Sequence, residues 1–272
     1  MTTPEQRLHL RLRPATRSGT GVLLVAGSSG RIDEGRARLL AAHGADVLVL
    51  RWFGAPGLQP GPFEVPLELF VEALDDLAVD NERLAVVGLS FGAEAALLLA
   101  SKDARVETVV AFAPSAYVWA GVPDSAPGQT SHWTWAGLPV PFVPFVEEWE
   151  PTEDPPAYTP FYEACLAAAD AQTLAAATIP VDGLAELVLV AGGDDQVWPA
   201  TTFARDITGR RAAAGLPTRL VEHPAAGHRA ILPGEAPVAA GRAMARGGTE
   251  TADRELGARA WPHLVRVLRL HG

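Results

Sequence analysis

The sequence predicts an α/β fold in which a mostly parallel sheet is wrapped by helices on both faces. Short apolar runs that suit buried strands alternate along the chain with longer segments of helical spacing. Of the 272 residues, 48% are apolar, enough to bury a sheet of several strands. One run, Val86-Val87-Gly88-Leu89-Ser90-Phe91-Gly92-Ala93, is a GxSxG pentapeptide set between a strand pattern and an Ala/Leu-rich helix pattern.

The elements follow in order. Leu8, Leu10 and Leu12 alternate with His9 and Arg11, as an exposed edge strand does. Gly21 to Ala26 is a short apolar strand, and Ile32 to His43 has helical spacing. Asp46 to Arg51 reads as the next strand. Pro66 to Val79 reads as an amphipathic helix with Pro66 in its first turn, where a missing N–H costs nothing. Arg83 to Leu89 is a buried strand and Phe91 to Ser101 a helix. Val106 to Phe112, Glu186 to Ala191 and Thr218 to Glu222 complete the strand set. Helices are expected at Thr201 to Ala214 and near the C-terminus. No fixed-period repeat is present. The whole chain, 1–272, reads as one domain.

About residues 116 to 183 the alternation breaks. The segment is rich in proline and aromatics, among them Tyr117, Trp119, Trp133, Trp135, Phe142, Phe145, Trp149, Tyr158, Phe161 and Tyr162. A long insertion between two core strands is commonly functional, so a lid over an active site is expected. Its aromatics would partly form their own small core and partly line an acyl pocket.

The chemistry starts at Ser90. A serine on a sharp strand-to-helix turn needs small neighbours, which Gly88 and Gly92 supply. It also needs a base and a group to orient that base. In α/β-hydrolases these follow in the order serine, acid, histidine. Asp195 is the expected acid, in the glycine turn Gly192-Gly193-Asp194-Asp195 directly after a core strand; Asp194 is the second candidate, with turn shaping as its other role. His228 is the expected base, in the loop Pro224-Ala225-Ala226-Gly227-His228 after the last strand, with His223 the competitor. The other histidines, His9, His43, His132, His263 and His271, read as surface groups. The oxyanion donors are expected to be the N–H of Phe91 and an N–H from the loop holding Ser28 and Ser29. Arg31, Arg36 and Arg51 fall near that loop and read as solvated side chains, with contact to a substrate phosphate as the alternative.

Composition excludes other classes. A net charge of −10 argues against a nucleic-acid surface, which needs clustered cations. The loop Gly27-Ser28-Ser29-Gly30 lacks both the GxGxxG pattern and the lysine of a phosphate loop. Cys165 stands alone, so no internal disulfide and no zinc or redox motif is expected, and it reads as inert. No cofactor and no metal are expected. Met1 to Arg17 lacks the apolar core of a secretory signal, and the longest uncharged stretch, Ser125 to Val146, is broken by four prolines. A cytoplasmic location without a membrane partner is therefore expected. The acidic run Glu147, Glu148, Glu150, Glu153 and Asp154 reads as a solvated face.

From Gly21 onward the chain resembles the catalytic domain shared by acyl-CoA thioesterases and bile acid-CoA:amino acid N-acyltransferases, related in fold to dienelactone hydrolases. The resemblance lies in Gly30, Glu34 to Gly44 with Ala45-Asp46-Val47, Gly88-Leu89-Ser90 with Glu94, Ile179-Pro180-Val181, Gly192-Gly193-Asp194-Asp195 with Trp198, and Gly227-His228. It implies that Asp195 takes the acid role. It also implies thioester hydrolysis, because the acyltransferase branch uses a cysteine nucleophile where this chain has Ser90. Longer members carry an N-terminal β-sandwich domain, whereas here the first core strand opens at Gly21, and a basic residue common after the nucleophile is Phe91. The implied substrate is an acyl-CoA or acyl-carrier thioester, with a carrier protein as a possible partner; a small hydrophobic ester, or transfer to another acceptor, are the alternatives.

Overall fold

A computed structural model describes residues 8–123, 128–238 and 243–272. Parts of two stretches read above, Met1 to Arg7 and Ser125 to Pro127, lie outside the described residues.

Seven strands form the main sheet: β1 (His9–Leu12), β2 (Thr20–Val25), β3 (Asp46–Leu50), β4 (Arg83–Leu89), β5 (Val106–Phe112), β6 (Glu186–Gly192) and β7 (Arg219–His223). Their order is β1-β3-β2-β4-β5-β6-β7. β1 is antiparallel to β3 and the rest run parallel. A parallel sheet needs both faces covered, which explains why β2 and β3 are buried at every residue and read as continuous apolar runs.

The helices are α1 (Glu34–Ala42), α2 (Glu68–Ala78), α3 (Phe91–Lys102), α4 (Thr159–Ala168), α5 (Ala171–Ala177), α6 (Ala200–Ala213) and α7 (Glu250–Val267). Strand alternation sorts the core into two layers. Val22, Val47, Val87, Val110 and Val188 face α1 and α7; Leu23, Leu48, Val86, Val109 and Leu189 face α2, α3 and α6. Helix α3 is buried from Phe91 to Ala100 because the sheet lies on one side and the 116–183 segment on the other, so its sequence over that stretch is apolar apart from Glu94.

The expected strands and helices are present, with bounds shifted by a residue or two at several ends. Pro66 is a correction. It does not open a helix: Val65–Pro66 is a short strand paired with Trp133–Trp135, and α2 starts at Glu68. The Val65 and Leu67 N–H groups donate to His132 O (2.9 Å) and Thr134 O (3.0 Å), which holds this stretch extended. Its partner is a distant strand that local spacing does not show. Arg36 is a second correction. It is buried, donates to Glu235 through Nε (2.7 Å) and Nη2 (2.9 Å), and lies 4.3 Å above the Phe112 ring.

The edge strand is pinned by charge. Arg11 donates to Asp46 through Nε (3.0 Å) and Nη2 (2.8 Å), and Arg17 and Asn81 also reach this buried carboxylate (both 3.1 Å). Burial alone would raise the Asp46 pKa, but the hydrogen bonds from Arg11 and Asn81 and the nearby arginine charges hold it below the ordinary aspartate range. A lowered folded pKa stabilises the fold at pH values above about 3.9, and the contribution fades as pH falls through the folded value. Asp46→Asn is expected to cost about 2 kcal/mol at pH 7 in urea unfolding. The two proteins should converge as the pH falls below about 3.9 and through the folded value.

Candidate active site

Ser90 sits at the end of β4 with φ 58° and ψ −123°, a left-handed conformation that a side chain resists. Its N–H donates to Phe112 O (2.9 Å) on β5, so the sheet itself holds the turn. The tight turn leaves no room for flanking side chains. A Cβ on Gly88 would stand 2.1 Å from Gly92 O, and one on Gly92 would stand 2.2 Å from Val25 O. Gly27 presses on the Ser90 side chain, where an added Cβ would be 2.9 Å from Ser90 Cβ.

Asp195 and His228 meet. His228 Nδ1 lies 2.8 Å from Asp195 Oδ2, and both side chains are buried. Asp195 Oδ1 accepts from the N–H groups of Val197 (2.8 Å) and Trp198 (3.3 Å), which fixes the carboxylate against rotation. The His228 N–H donates to Arg246 O (2.9 Å). Here too the main chain is crowded, because a Cβ on Gly227 would lie 2.3 Å from Gly247 O. Asp194 is exposed and accepts from Gly248 N (2.7 Å), a turn-shaping role. His223 bonds Glu255 Oε2 (2.8 Å) through Nε2 and accepts from Ala225 N (3.2 Å), so neither ring nitrogen is left for a substrate.

Ser90 and His228 line one small cavity together with Ser28 and Ser29, and no hydrogen bond joins the Ser90 hydroxyl to the imidazole among the described residues. Such bonds are often loose before substrate binds. Ser28 belongs to a tight turn in which Gly30 N donates to Gly27 O (2.9 Å), and Trp52 Nε1 anchors the preceding Ala26 O (3.0 Å). Phe91 opens α3, and the first N–H groups of a helix have no acceptor within it.

Ser28 and Ser90 also border a cavity of about 390 Å³, lined by Phe63, Phe91, Ala120, Val122, Phe145 and Phe161, with Tyr158 and Tyr162. Four of its aromatics come from the 116–183 segment. Trp119 and Trp133 from the same segment are fully buried, and the Trp119 N–H and Trp133 Nε1 reach Glu94 on α3. Cys165 is buried in α4; burial raises its thiol pKa, and its Sγ accepts from Val146 N (3.4 Å). No helix among the described residues is long and apolar enough to cross a membrane.

His132 is the third correction. Expected at the surface, it is 2% exposed, lines this cavity, and packs on Phe91 with ring centroids 4.1 Å apart. His9 and His271 are exposed, and His43 and His263 half-buried. The absence of charge from Ser125 to Val146, the stretch whose prolines argue above against a membrane span, is the signal that could have placed His132 inside.

The sequence profile of the BAAT / acyl-CoA thioester hydrolase C-terminal family matches residues 65–271. The chain belongs to this family. Its BAAT-type relatives include the mouse (Mus musculus) acyl-coenzyme A thioesterase 6, 36% identical over 110 residues, covering 38% of this chain and 26% of that protein. Mouse acyl-coenzyme A amino acid N-acyltransferase 2 is 38% identical over 84 residues, covering 29% of this chain and 20% of that one. The match therefore spans about a quarter or less of these relatives' lengths. A protein assigned as a dienelactone hydrolase from Klebsiella pneumoniae shares the fold, with a TM-score of 0.51, 14% identity, and coverage of 96% of this chain and 98% of that one. The fold is that of the α/β-hydrolases.

Backbone crowding at the elbow gives a direct test. Gly92→Ala forces a methyl group against the Val25 carbonyl, and is expected to cost about 3 kcal/mol or more, read as a fall in Tm of roughly 6–12 °C.

Proposed function

We propose that the chain is a serine hydrolase that cleaves an acyl thioester through an acyl-enzyme intermediate. The observation that carries the reading is the buried Asp195–His228 pair opening into the same cavity as Ser90. His228, oriented by Asp195, takes the proton of Ser90 as Oγ attacks the acyl carbonyl. The N–H of Phe91 and an N–H of the Ser28–Ser29 turn hold the oxyanion. The C–S bond then breaks, and His228 returns the proton to the departing thiolate. Water repeats the sequence on the ester, freeing the acid and Ser90. The 116–183 segment serves as a lid, and its Phe145 and Phe161 hold the acyl chain.

A phosphate-bearing thiol suits the mouth of this site. Arg31, Arg229 and Arg246 line the small cavity beside Ser90 and His228, with Asp33 the acidic group among them. Burial and the charges of Arg246 and Arg31 bring the Arg229 pKa down to about 10, which still leaves it cationic near neutrality. In a chain of net charge −10 this local concentration of cations favours an anionic leaving group such as coenzyme A. The similarity to an N-acyltransferase supports a second reading, transfer to an amine, which uses the same acyl-enzyme. Mass spectrometry of products formed with amino acids present separates the two.

A fluorophosphonate probe is expected to label the wild type and not Ser90→Ala, and Ser90→Ala should lose at least about 10⁴-fold in kcat. Labelling of both proteins alike would remove Ser90 from the mechanism. For the leaving group, Arg229→Met is expected to lower the ratio of kcat/KM for an acyl-CoA over the matching acyl-pantetheine about tenfold, mainly through KM. Added salt should reduce the same ratio in the wild type.

A further inference from the structure

A buried polar pair that the acyl-transfer machinery does not use borders the acyl cavity: His132 lines it and Glu94 stands outside its lining. Glu94 lies four residues after Ser90 on α3 and is 0% exposed. Its Oε1 accepts from Trp119 N (3.1 Å) and Trp133 Nε1 (2.8 Å), and stands 3.7 Å from His132 Nδ1. Glu94 Oε2 and His132 Nδ1 are both buried without a hydrogen-bond partner. Since Nδ1 is shielded and turned to the carboxylate, the ring edge that lines the cavity is the opposite one, which carries Nε2.

A carboxylate beside Nδ1 favours the proton there, and Nε2 then faces the cavity as an acceptor; with a second proton it becomes a donor. Apolar side chains of Phe63, Ala120, Val122, Phe145 and Phe161 line the cavity around it, with Ser28, Ser90, Tyr158 and Tyr162 as the other hydroxyl-bearing residues. A plain alkyl chain seated against this edge strips water from Nε2 and offers no replacement, which is costly. The hydroxyls of Tyr158 and Tyr162 can turn to other partners, but a ring packed on Phe91 presents one fixed edge. A substrate hydroxyl both donates and accepts, so it satisfies the imidazole in either protonation state. Sites built around a buried hydrogen bond discriminate strongly against analogues that lack the group.

We infer that His132 is a specificity-determining residue that hydrogen-bonds a hydroxyl on the acyl chain, so that the site takes hydroxyacyl groups in preference to unsubstituted alkanoyl groups. Glu94 is the positioning residue behind it. His132 packs on the ring of Phe91, the residue directly after Ser90, and substrates of two hydroxyl positions sample the distance from that ring to the reacting carbonyl. The inference rests on the acyl-enzyme reading of this cavity.

The test uses matched thioesters on one thiol, butanoyl against 3-hydroxybutanoyl and hexanoyl against 6-hydroxyhexanoyl, with wild type, His132→Leu and His132→Asn. Wild type is expected to prefer the hydroxylated member of at least one pair by tenfold or more in kcat/KM. His132→Leu should erase or invert that ratio, chiefly through KM, while His132→Asn, which keeps a hydrogen-bonding edge, retains part of it. Fluorophosphonate labelling of Ser90 in each variant reports that the fold and nucleophile are intact. No preference in wild type for either pair, or an unchanged ratio in a labelled His132→Leu, overturns the inference. Tryptophan-fluorescence titration with the free acids reads the same selectivity without turnover. If wild type binds 6-hydroxyhexanoate over hexanoate and His132→Leu does not, the hydroxyl contact at His132 is established by itself, and a failure of phosphonate labelling then counts against the Ser90 reading alone.

Discussion

The site depends on main chain approaching main chain more closely than any side chain would permit. At the elbow the constraint is steric and mutual: Gly88 lies under the Gly92 carbonyl, Gly92 lies against the Val25 carbonyl, and Ser90 is forced into a left-handed conformation between them. The Ser90 amide then borrows an acceptor from β5, so the strained turn is clamped from three adjacent strands at once. A strained residue persists where its surroundings over-determine it. The same device recurs where Gly227 passes Gly247, and there it fixes the loop of His228 relative to that of Asp195. Both crossings lie at the carboxyl ends of parallel strands, the edge on which α/β folds assemble their sites.

A second constraint is electrostatic. Glu94 is wholly buried, yet two N–H donors from the 116–183 segment reach it, so a helix of the sheet layer and an insertion from elsewhere in the chain are joined through one carboxylate oxygen. Removing a single donor leaves a buried charge less well compensated, which is why such contacts are costly to break. The tie also sets where the aromatic wall stands relative to Ser90, because Trp133 and His132 are neighbours on the same short run.

Much of the framework was legible in the sequence. Arg83 to Leu89 and Val106 to Phe112 have the bounds that the sequence suggested, since a strand buried on both faces leaves a mostly apolar run. That Ser90, Asp195 and His228 each come after a core strand was also readable. The departures share one cause, which is a partner remote in sequence. Arg36 looked solvated on a helix until its partner Glu235, 199 residues away, came beside it. Pro66 looked like a helix start because Trp133–Trp135 is not in view locally. His132 looked exposed because nothing near it in sequence announces Phe91 and Glu94. Local propensity reports an element's own preference, while burial of a polar side chain is decided by tertiary neighbours.

Trp198 adds a further consequence. Its indole N–H donates to Ala113 O (3.1 Å), and its ring lies 5.5 Å from Phe91, 5.6 Å from Tyr162 and 6.0 Å from His228. Helix α3, the inserted segment and the loop of His228 thus converge on one aromatic side chain that is itself fixed to the sheet. A displacement of any of the three alters the surroundings of the same indole. The molecule contains its own optical gauge of how these three parts are assembled, placed by its packing at the point where they meet.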